Sequence, residues 1–379
     1  MAAPPFSFLE TLNKVEECID ANADIADAIV QRGLDSLGLS DSASSASSTT
    51  TPEWHNTATK LDLDKARSTL HQLYRDWSAE GVAERTACFG PVLLALHQRF
   101  GHPPSNPSSV RKSPPRILVP GAGLGRLVFE LALAGYEAHG NELSYHALLA
   151  SSFMLNSTSR AKQFNLYPFA TTFSNHHTRA AQLRAVEIPD MHPGSHVPFK
   201  GSMSMTTGDF VAVYGEGAEE DEHKGSFDAV TTVFFVDTAP NLMTYIETVK
   251  HCLRTGGYWI NIGPLLWHFD SGKSGGASPE QEQEESLEAV QDEPHTHPSG
   301  TDHASSHHSH KHRQPKTPRI GTTGGSVQLT EDEVIKLVEM AGFTMELHET
   351  GRLATGYVQD PESMLQNIYK PVFWVARKL

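Results

Sequence analysis

The stretch Arg116–Glu142, RILVPGAGLGRLVFELALAGYEAHGNE, decides the fold. RILVP is a short apolar run that enters the turn PGAGLGR (Pro120–Arg126). A helical stretch follows from about Leu124 to Ala134, and YEAHGNE reads as a second strand ending on Glu142. Gly121, Gly123 and Gly125 let the backbone turn tightly and come close to a ligand, an approach that any Cβ would obstruct. The dinucleotide fingerprint G-x-G-x-x-G carries its third glycine one place later than the G-x-G-x-G found here. A glycine turn also serves plain chain reversal, so alone it names no ligand. Glu142, closing the next strand, suits a carboxylate that accepts from both hydroxyls of a ribose; the alternative, a solvated strand end, is the weaker one beside the glycine turn.

The pattern continues outward. A helix is expected from about Tyr145 to Asn156, and GDF (Gly208–Phe210) falls at the end of a third strand. FDAVTTVFFVD is a further strand, followed by a helix through Leu253, the glycine turn LRTGGYW and the strand YWINIG. TEDEVIKLVEMAGF opens on a capping box (Thr330, Glu333) and reads as a helix. FTMELHE and PVFWVARK form two closing strands. Strands alternating with helices mean a largely parallel sheet covered on both faces. Upstream, Leu9–Leu37 and Leu61–Phe100 read as helical, with Leu70, Leu73, Tyr74 and Trp77 recurring at three- and four-residue spacing.

Three stretches divide the chain. SDSASSASSTTTPE (Ser40–Glu53) is a Ser/Thr-rich linker, and HPPSNPSSVRKSPP (His102–Pro115) marks a lobe boundary. The third, about 271–319, passes from Gly/Ser through an acidic tract to a His-rich tract. It offers too little apolar side chain to offset the entropy of ordering. The expected organisation is a helix and disordered linker over 1–60, a helical cap lobe over 61–101, and one domain over 116–379 that carries the disordered insertion.

Composition narrows the function. With 379 residues and a net charge of −15, the chain would repel a polyanion, which argues against nucleic acid as partner. Seven of the acids crowd one short tract of the insertion, Glu280, Glu282, Glu284, Glu285, Glu288, Asp292 and Glu293. The three cysteines, Cys18, Cys88 and Cys252, are far apart. They fit neither a disulfide framework nor a zinc spacing and suggest a reducing compartment. No apolar run of about 18 residues suggests a membrane span, and MAAPPFSFLE lacks the basic and apolar regions of a secretory signal. The expected location is the cytoplasm, with the nucleus as a second address. The His-rich tract (His295, His297, His303, His307, His308, His310, His312) has no recurring spacing and no neighbouring cysteine, so it reads as a solvated insert and no metal is expected.

The glycine spacing resembles the form found in S-adenosylmethionine-dependent methyltransferases. LRTGGYW and the two closing strands fit the same fold, whose sheet ends in an antiparallel hairpin. In that setting Asp209 can accept from the adenine amino group while Phe210 packs on its ring, although a surface Asp beside a core Phe looks the same. The expected fold class is thus α/β, a Rossmann-like class I methyltransferase with a mostly parallel seven-stranded sheet plus an N-terminal helical lobe.

More specifically, PGAGLGRLVFELALAGYEAHGNELS, RDWSAEG..ER, FFVDTAPN, WINIGPLLWHF and NIYKPVFWVARK together resemble the carnosine N-methyltransferase family. The resemblance covers most of Leu61–Leu379 outside the insertion. It implies methyl transfer from S-adenosylmethionine to the π nitrogen, Nδ1, of imidazole in a small histidine-containing peptide; for carnosine the product would be anserine. Gln72 and Arg75, three apart on one helical face, match the pair that caps the cofactor in the family. Arg75 suits the methionyl carboxylate, or else pairs with Asp76 or Glu80. Gly121, Glu142, Asp209 and Phe210 match cofactor positions, with Gly123 and Gly125 completing the turn.

Asp237, His268 and Tyr369 match the substrate positions. By themselves, Asp237 could cap the following helix, His268 could be an ordinary histidine, and Tyr369 could be strand packing. Asn367 and Ile368 stand where family members can carry further tyrosines. A protein histidine as substrate, a catalytically silent S-adenosylmethionine-binding module and a nicotinamide oxidoreductase are the competing readings, the last disfavoured by glycine spacing and hairpin. No membrane partner is expected, and oligomeric state stays open, a homodimer being one option.

Overall fold

The computed structural model describes residues 6–39, 57–101, 113–217, 223–267, 327–351 and 354–379. The Ser/Thr linker, most of the Pro/Ser stretch, the acidic and His-rich insertion and His268 lie outside the described residues.

Among the described residues, three helices precede the first strand: α1 (Phe8–Ser36), α2 (Lys60–Trp77) and α3 (Val82–Phe100). Then come β1 (Arg116–Pro120), α4 (Arg126–Ala134), β2 (Glu137–Glu142), α5 (Tyr145–Asn156), β3 (Phe164–Leu166), α6 (Arg179–Gln182), β4 (Val186–Ile188), β5 (Ser202–Thr207) and α7 (Phe210–Tyr214). The chain continues through β6 (Phe227–Val233), α8 (Leu242–Cys252), β7 (Leu253–Gly263), α9 (Glu331–Met340), β8 (Phe343–Thr350) and β9 (Val372–Lys378).

The main sheet has seven strands in the order β5-β2-β1-β6-β7-β9-β8. The pairs from β5 through β7 are parallel, whereas β9 runs antiparallel to both β7 and β8. This is the Rossmann-like class I methyltransferase arrangement, with the hairpin closing one edge. The chain reverses direction across the sheet between β1 and β6, so their carboxyl ends open the crevice in which such folds bind ligands.

Both faces of the sheet are buried. Leu118, Val230, Trp259 and Trp374 face α8 and α9, while Ile117, Val119, Ala229 and Ile260 face α3 and α4. α3 therefore covers the sheet directly through Val92 and Leu96 rather than sitting above it. α1 and α2 join a third cluster in which Ile25, Ile29, Leu73 and Trp77 meet Phe129, Phe153 and Ile188. Asn22 of α1 clamps Tyr167, accepting from its N–H at 2.9 Å and donating to its carbonyl at 3.0 Å.

The helical reading of 61–100 resolves into two helices, broken at Ser78–Gly81. The Ser78 hydroxyl donates to the Tyr74 carbonyl and accepts from the Gly81 N–H. The small antiparallel pair β3–β4 was not foreseen, because strands of three residues carry no readable period. The capping box at Thr330 and Glu333 is present. Trp267 donates its indole N–H to the Leu329 carbonyl at 2.9 Å, which ties the end of the stretch 223–267 to the start of 327–351. Among the described residues, no helix is long and apolar enough to cross a membrane.

Candidate functional site

The site is assembled at the carboxyl ends of β1, β2, β5 and β6. Beyond β1, Gly121 and Gly123 take φ of +66° and +54°, the left-handed region that favours glycine. A Cβ on Gly121 would sit 2.5 Å from Cδ2 of Phe235, whereas one on Gly123 would project into open space. The turn is thus pressed against the β6 side at one glycine and open at the next. Gly125 caps α4.

Glu142 braces this turn. One carboxylate oxygen accepts from the Gly123 N–H at 2.8 Å, and the other accepts from the N–H groups of Leu143 and Ser144, both at 2.8 Å. A carboxylate offers about four lone-pair sites, so three donors leave acceptor capacity toward the crevice. Buried Asn141, which sequence reasoning passed over, knits the strand ends together. Its carbonyl accepts from Ala122, and its amide donates to the Gly208 carbonyl at 2.9 Å. Among the polar residues of EAHGNE no spacing singles it out; only its burial does.

Asp209 is exposed and caps α7 by accepting from the Ala212 N–H at 2.9 Å. Phe210 is buried, its ring held among Tyr214, Phe235 and Tyr245. What is visible of it is core packing behind Phe235.

α2 approaches from the other side. Trp77 is fully buried and donates its indole N–H to the Leu124 carbonyl inside the glycine turn, at 3.1 Å. Gln72 and Arg75 lie one turn above. The Gln72 side-chain oxygen is buried and has no hydrogen-bond partner, an arrangement that costs free energy unless a ligand supplies a donor. Arg75 is paired in bidentate fashion with Asp76, at 2.7 and 3.0 Å, and lies 4.8 Å over the ring of Tyr357. The alternative pairing with Asp76 is thus present in the structure, in a largely buried arginine rather than a surface one.

A second network fixes the hairpin between α2 and α3. Asp190 accepts from both terminal nitrogens of Arg126, at 2.6 and 3.0 Å, and from Arg85 at 3.0 Å. Arg85 also donates to the carbonyls of Arg75 and Ser78, and Arg126 to that of Asp76. Burial and the charge on Arg126 push the Arg85 pKa down. Arg126, penalised by burial, is held up by Asp190. Arg126 follows the glycine turn and Arg85 closes RDWSAEG..ER, so both were visible in sequence. Asp190 lies in an irregular loop with no periodic signal.

Beyond β6 the chain enters FFVD. Phe234 takes φ of +51°, a strained conformation for a bulky side chain. Its ring stacks on Tyr357 at 4.6 Å and meets Tyr369 edge-on at 5.7 Å. Phe235 faces Gly121 and stacks on Tyr245 at 5.0 Å; burial pushes the Tyr245 hydroxyl up to about 12. Asp237 is buried in the short turn that follows, and its carboxylate accepts from the Leu266 N–H at 3.2 Å. The helix-capping alternative for Asp237 is overturned, since Asn241 caps α8 by accepting from the Met243 N–H. FFVD thus joins the glycine turn, through Phe235, to Tyr369 and Tyr357, through Phe234.

The donor set fits S-adenosylmethionine: open space at Gly123, an orphaned acceptor on Gln72, a carboxylate at Glu142 and a guanidinium at Arg75. Among the described residues, no group of three or more His, Cys, Asp or Glu side chains could hold a metal ion.

Comparison with known proteins gives the following. The model of the carnosine N-methyltransferase family matches residues 52–379. A carnosine N-methyltransferase of Schizosaccharomyces pombe is 35% identical over 374 residues, which cover 98% of this chain and 83% of that protein. The carnosine N-methyltransferase of Rattus norvegicus is 40% identical over 260 residues, covering 69% of this chain and 60% of that protein. The one from Drosophila melanogaster is 33% identical over 320 residues, 84% of this chain and 56% of that protein. The matched region thus spans less than two thirds of the rat and fly proteins.

Solved structures that match include a magnesium protoporphyrin IX methyltransferase from Synechocystis with bound S-adenosylhomocysteine, at TM-score 0.37 and 10% identity, covering 92% of this chain and 99% of that one. A methyltransferase from Methanosarcina mazei matches at TM-score 0.36 and 15% identity, covering 71% and 94%.

Proposed function

The chain belongs to the carnosine N-methyltransferase family, and from that premise we propose that it is an S-adenosylmethionine-dependent enzyme that methylates the imidazole Nδ1 of carnosine or a related histidine dipeptide. The observation that carries this reading is FFVD, whose two phenylalanines link the glycine turn to Tyr369 while its aspartate lies buried in the same turn.

S-adenosylmethionine, when bound, supplies a methyl group on an already activated sulfonium sulfur. Gly121, Gly123 and Gly125 would give it room, Glu142 would take a ribose hydroxyl, and Asp209 and Phe210 would stand at the adenine side. Gln72 and Arg75 would hold the amino-acid end. The task left to the chain is to align and desolvate the attacking nitrogen.

That nitrogen needs a free lone pair, so the ring must be neutral with its proton on the opposite nitrogen. Asp237 is suited to accept from Nε2–H, fixing the tautomer that leaves Nδ1 as nucleophile. As the ring becomes cationic, the same carboxylate stabilises it, and burial strengthens that interaction. Tyr369 and Phe234 wall the ring and exclude water, and His268 is assigned to orient the dipeptide.

The test is transfer of labelled methyl from S-adenosylmethionine to carnosine, with the product position read by NMR. Label on the π nitrogen is the expected result. Cofactor binding without transfer would sink the dipeptide reading and direct the search to protein histidines.

A further inference from the structure

Tyr357 and Tyr369 both belong to the arm that joins β8 to β9, residues 354–371, which has no helix and no ladder longer than single bridges. Its shape therefore depends on particular contacts. Thr355 and Tyr369 exchange backbone hydrogen bonds at 3.0 and 2.9 Å, and Arg184 donates to Asp360 at 2.7 Å. At the tip, Val358 takes φ of +56°, a conformation that a β-branched residue holds only where its surroundings enforce it.

The enforcing group comes from α3. Glu84 accepts from the Val358 N–H at 2.8 Å and, more weakly, from the Gln359 N–H at 3.4 Å. Burial pushes the Glu84 carboxyl up from its ordinary value, while the Val358 N–H and the charge of Arg75 pull it down. A half-buried carboxylate that spends its oxygens on the backbone of a remote, strained loop is an anchor.

We propose that Glu84 is a positioning residue for the peptide side of the site: by holding Val358 it fixes Tyr357 against Phe234 and keeps the arm closed over the histidine ring. The assignment rests on the functional reading above. It couples the helical hairpin that carries Gln72 and Arg75 to the arm that carries Tyr369.

The variant Glu84→Gln keeps shape and one acceptor but removes the charge. In the full-length protein, KM for carnosine is expected to rise about tenfold, the scale of a charge-assisted hydrogen bond replaced by a weaker one. kcat and the affinity for S-adenosylhomocysteine should each stay within about twofold, and amides of 354–371 should exchange faster with deuterium. An unchanged KM overturns the proposal. So does a fall in kcat and thermal midpoint at constant KM, which is what a merely structural role would give. If the wild type methylates no histidine dipeptide, the functional reading is what fails. Exchange then still decides: unaltered protection of the arm overturns the anchor, and faster exchange upholds it.

Discussion

Asp237→Asn is expected to lower kcat for methyl transfer to a histidine dipeptide by on the order of 10³, with cofactor affinity within about twofold. The amide is isosteric, and its oxygen can still take the Leu266 N–H that the carboxylate accepts at 3.2 Å. On the proposed reading, what disappears is the negative charge set against a ring that turns cationic, in a turn where Asp237 is 4% exposed and water screens little. The amide can also present its NH2, which favours the wrong tautomer. Steady-state rates with S-adenosylhomocysteine titrations check both halves. A rate within about fivefold of wild type would remove Asp237 from the chemistry.

The second large effect concerns stability. Asp190→Ala should cost about 3–5 kcal/mol, the range for stripping the partner from a buried ion pair. The side chains of Arg85 and Arg126 are 5% and 4% exposed and share this one carboxylate. Without it, two guanidiniums face each other in the interior, with Glu130 left to compensate Arg126. A loss of that size is a large part of the 5–15 kcal/mol typical of a folded domain. The hairpin Ser78–Gly81 would loosen with it, so cofactor affinity should fall in parallel. Urea unfolding of the two proteins measures the difference, and a loss under about 1 kcal/mol would show that water or neighbours replace the carboxylate.

The parallel half of the sheet was legible because β1, β6 and β7 carry apolar runs and glycine or acid punctuates the strand ends. RILVP, the glycine turn and Glu142 occupy the places that their spacing implied. The antiparallel hairpin followed from FTMELHE and PVFWVARK. The segment between α5 and β5 was opaque, since its order comes from long-range bonds such as Asn22 to Tyr167 and Asp190 to Arg126. Such bonds leave no periodic trace in the chain.

The site divides in the same way. Residues at strand ends, such as Glu142 and Asp209, stand out as candidates from position alone. Glu84 and Phe234 lie within the motifs RDWSAEG..ER and FFVDTAPN, but the contacts that they and Tyr357 make depend on backbone conformations, φ of +51° at Phe234 and +56° at Val358, that no composition or spacing announces. The separation of 1–60 and of a cap lobe over 61–101 from the domain at 116–379 rests on composition and helical spacing. In three dimensions α3 shares a cluster with the main sheet, and α2 shares one with α4, α5 and the small pair β3–β4, because their apolar faces need a surface that these elements supply.

The contact between Trp77 and the glycine turn has an optical consequence. Of the five tryptophans in the chain, Trp77 hydrogen-bonds the Leu124 carbonyl within that turn and lies 5.1 Å beneath the guanidinium of Arg126. Its indole excited state therefore senses the electric field at the mouth of the nucleoside crevice. Titrating S-adenosylhomocysteine should shift the intrinsic emission, and Trp77→Phe should mute that shift. The protein then reports occupancy of its own crevice without dye or label, and an emission spectrum that ignores the ligand would mean the field at the turn is the same in the empty and filled states.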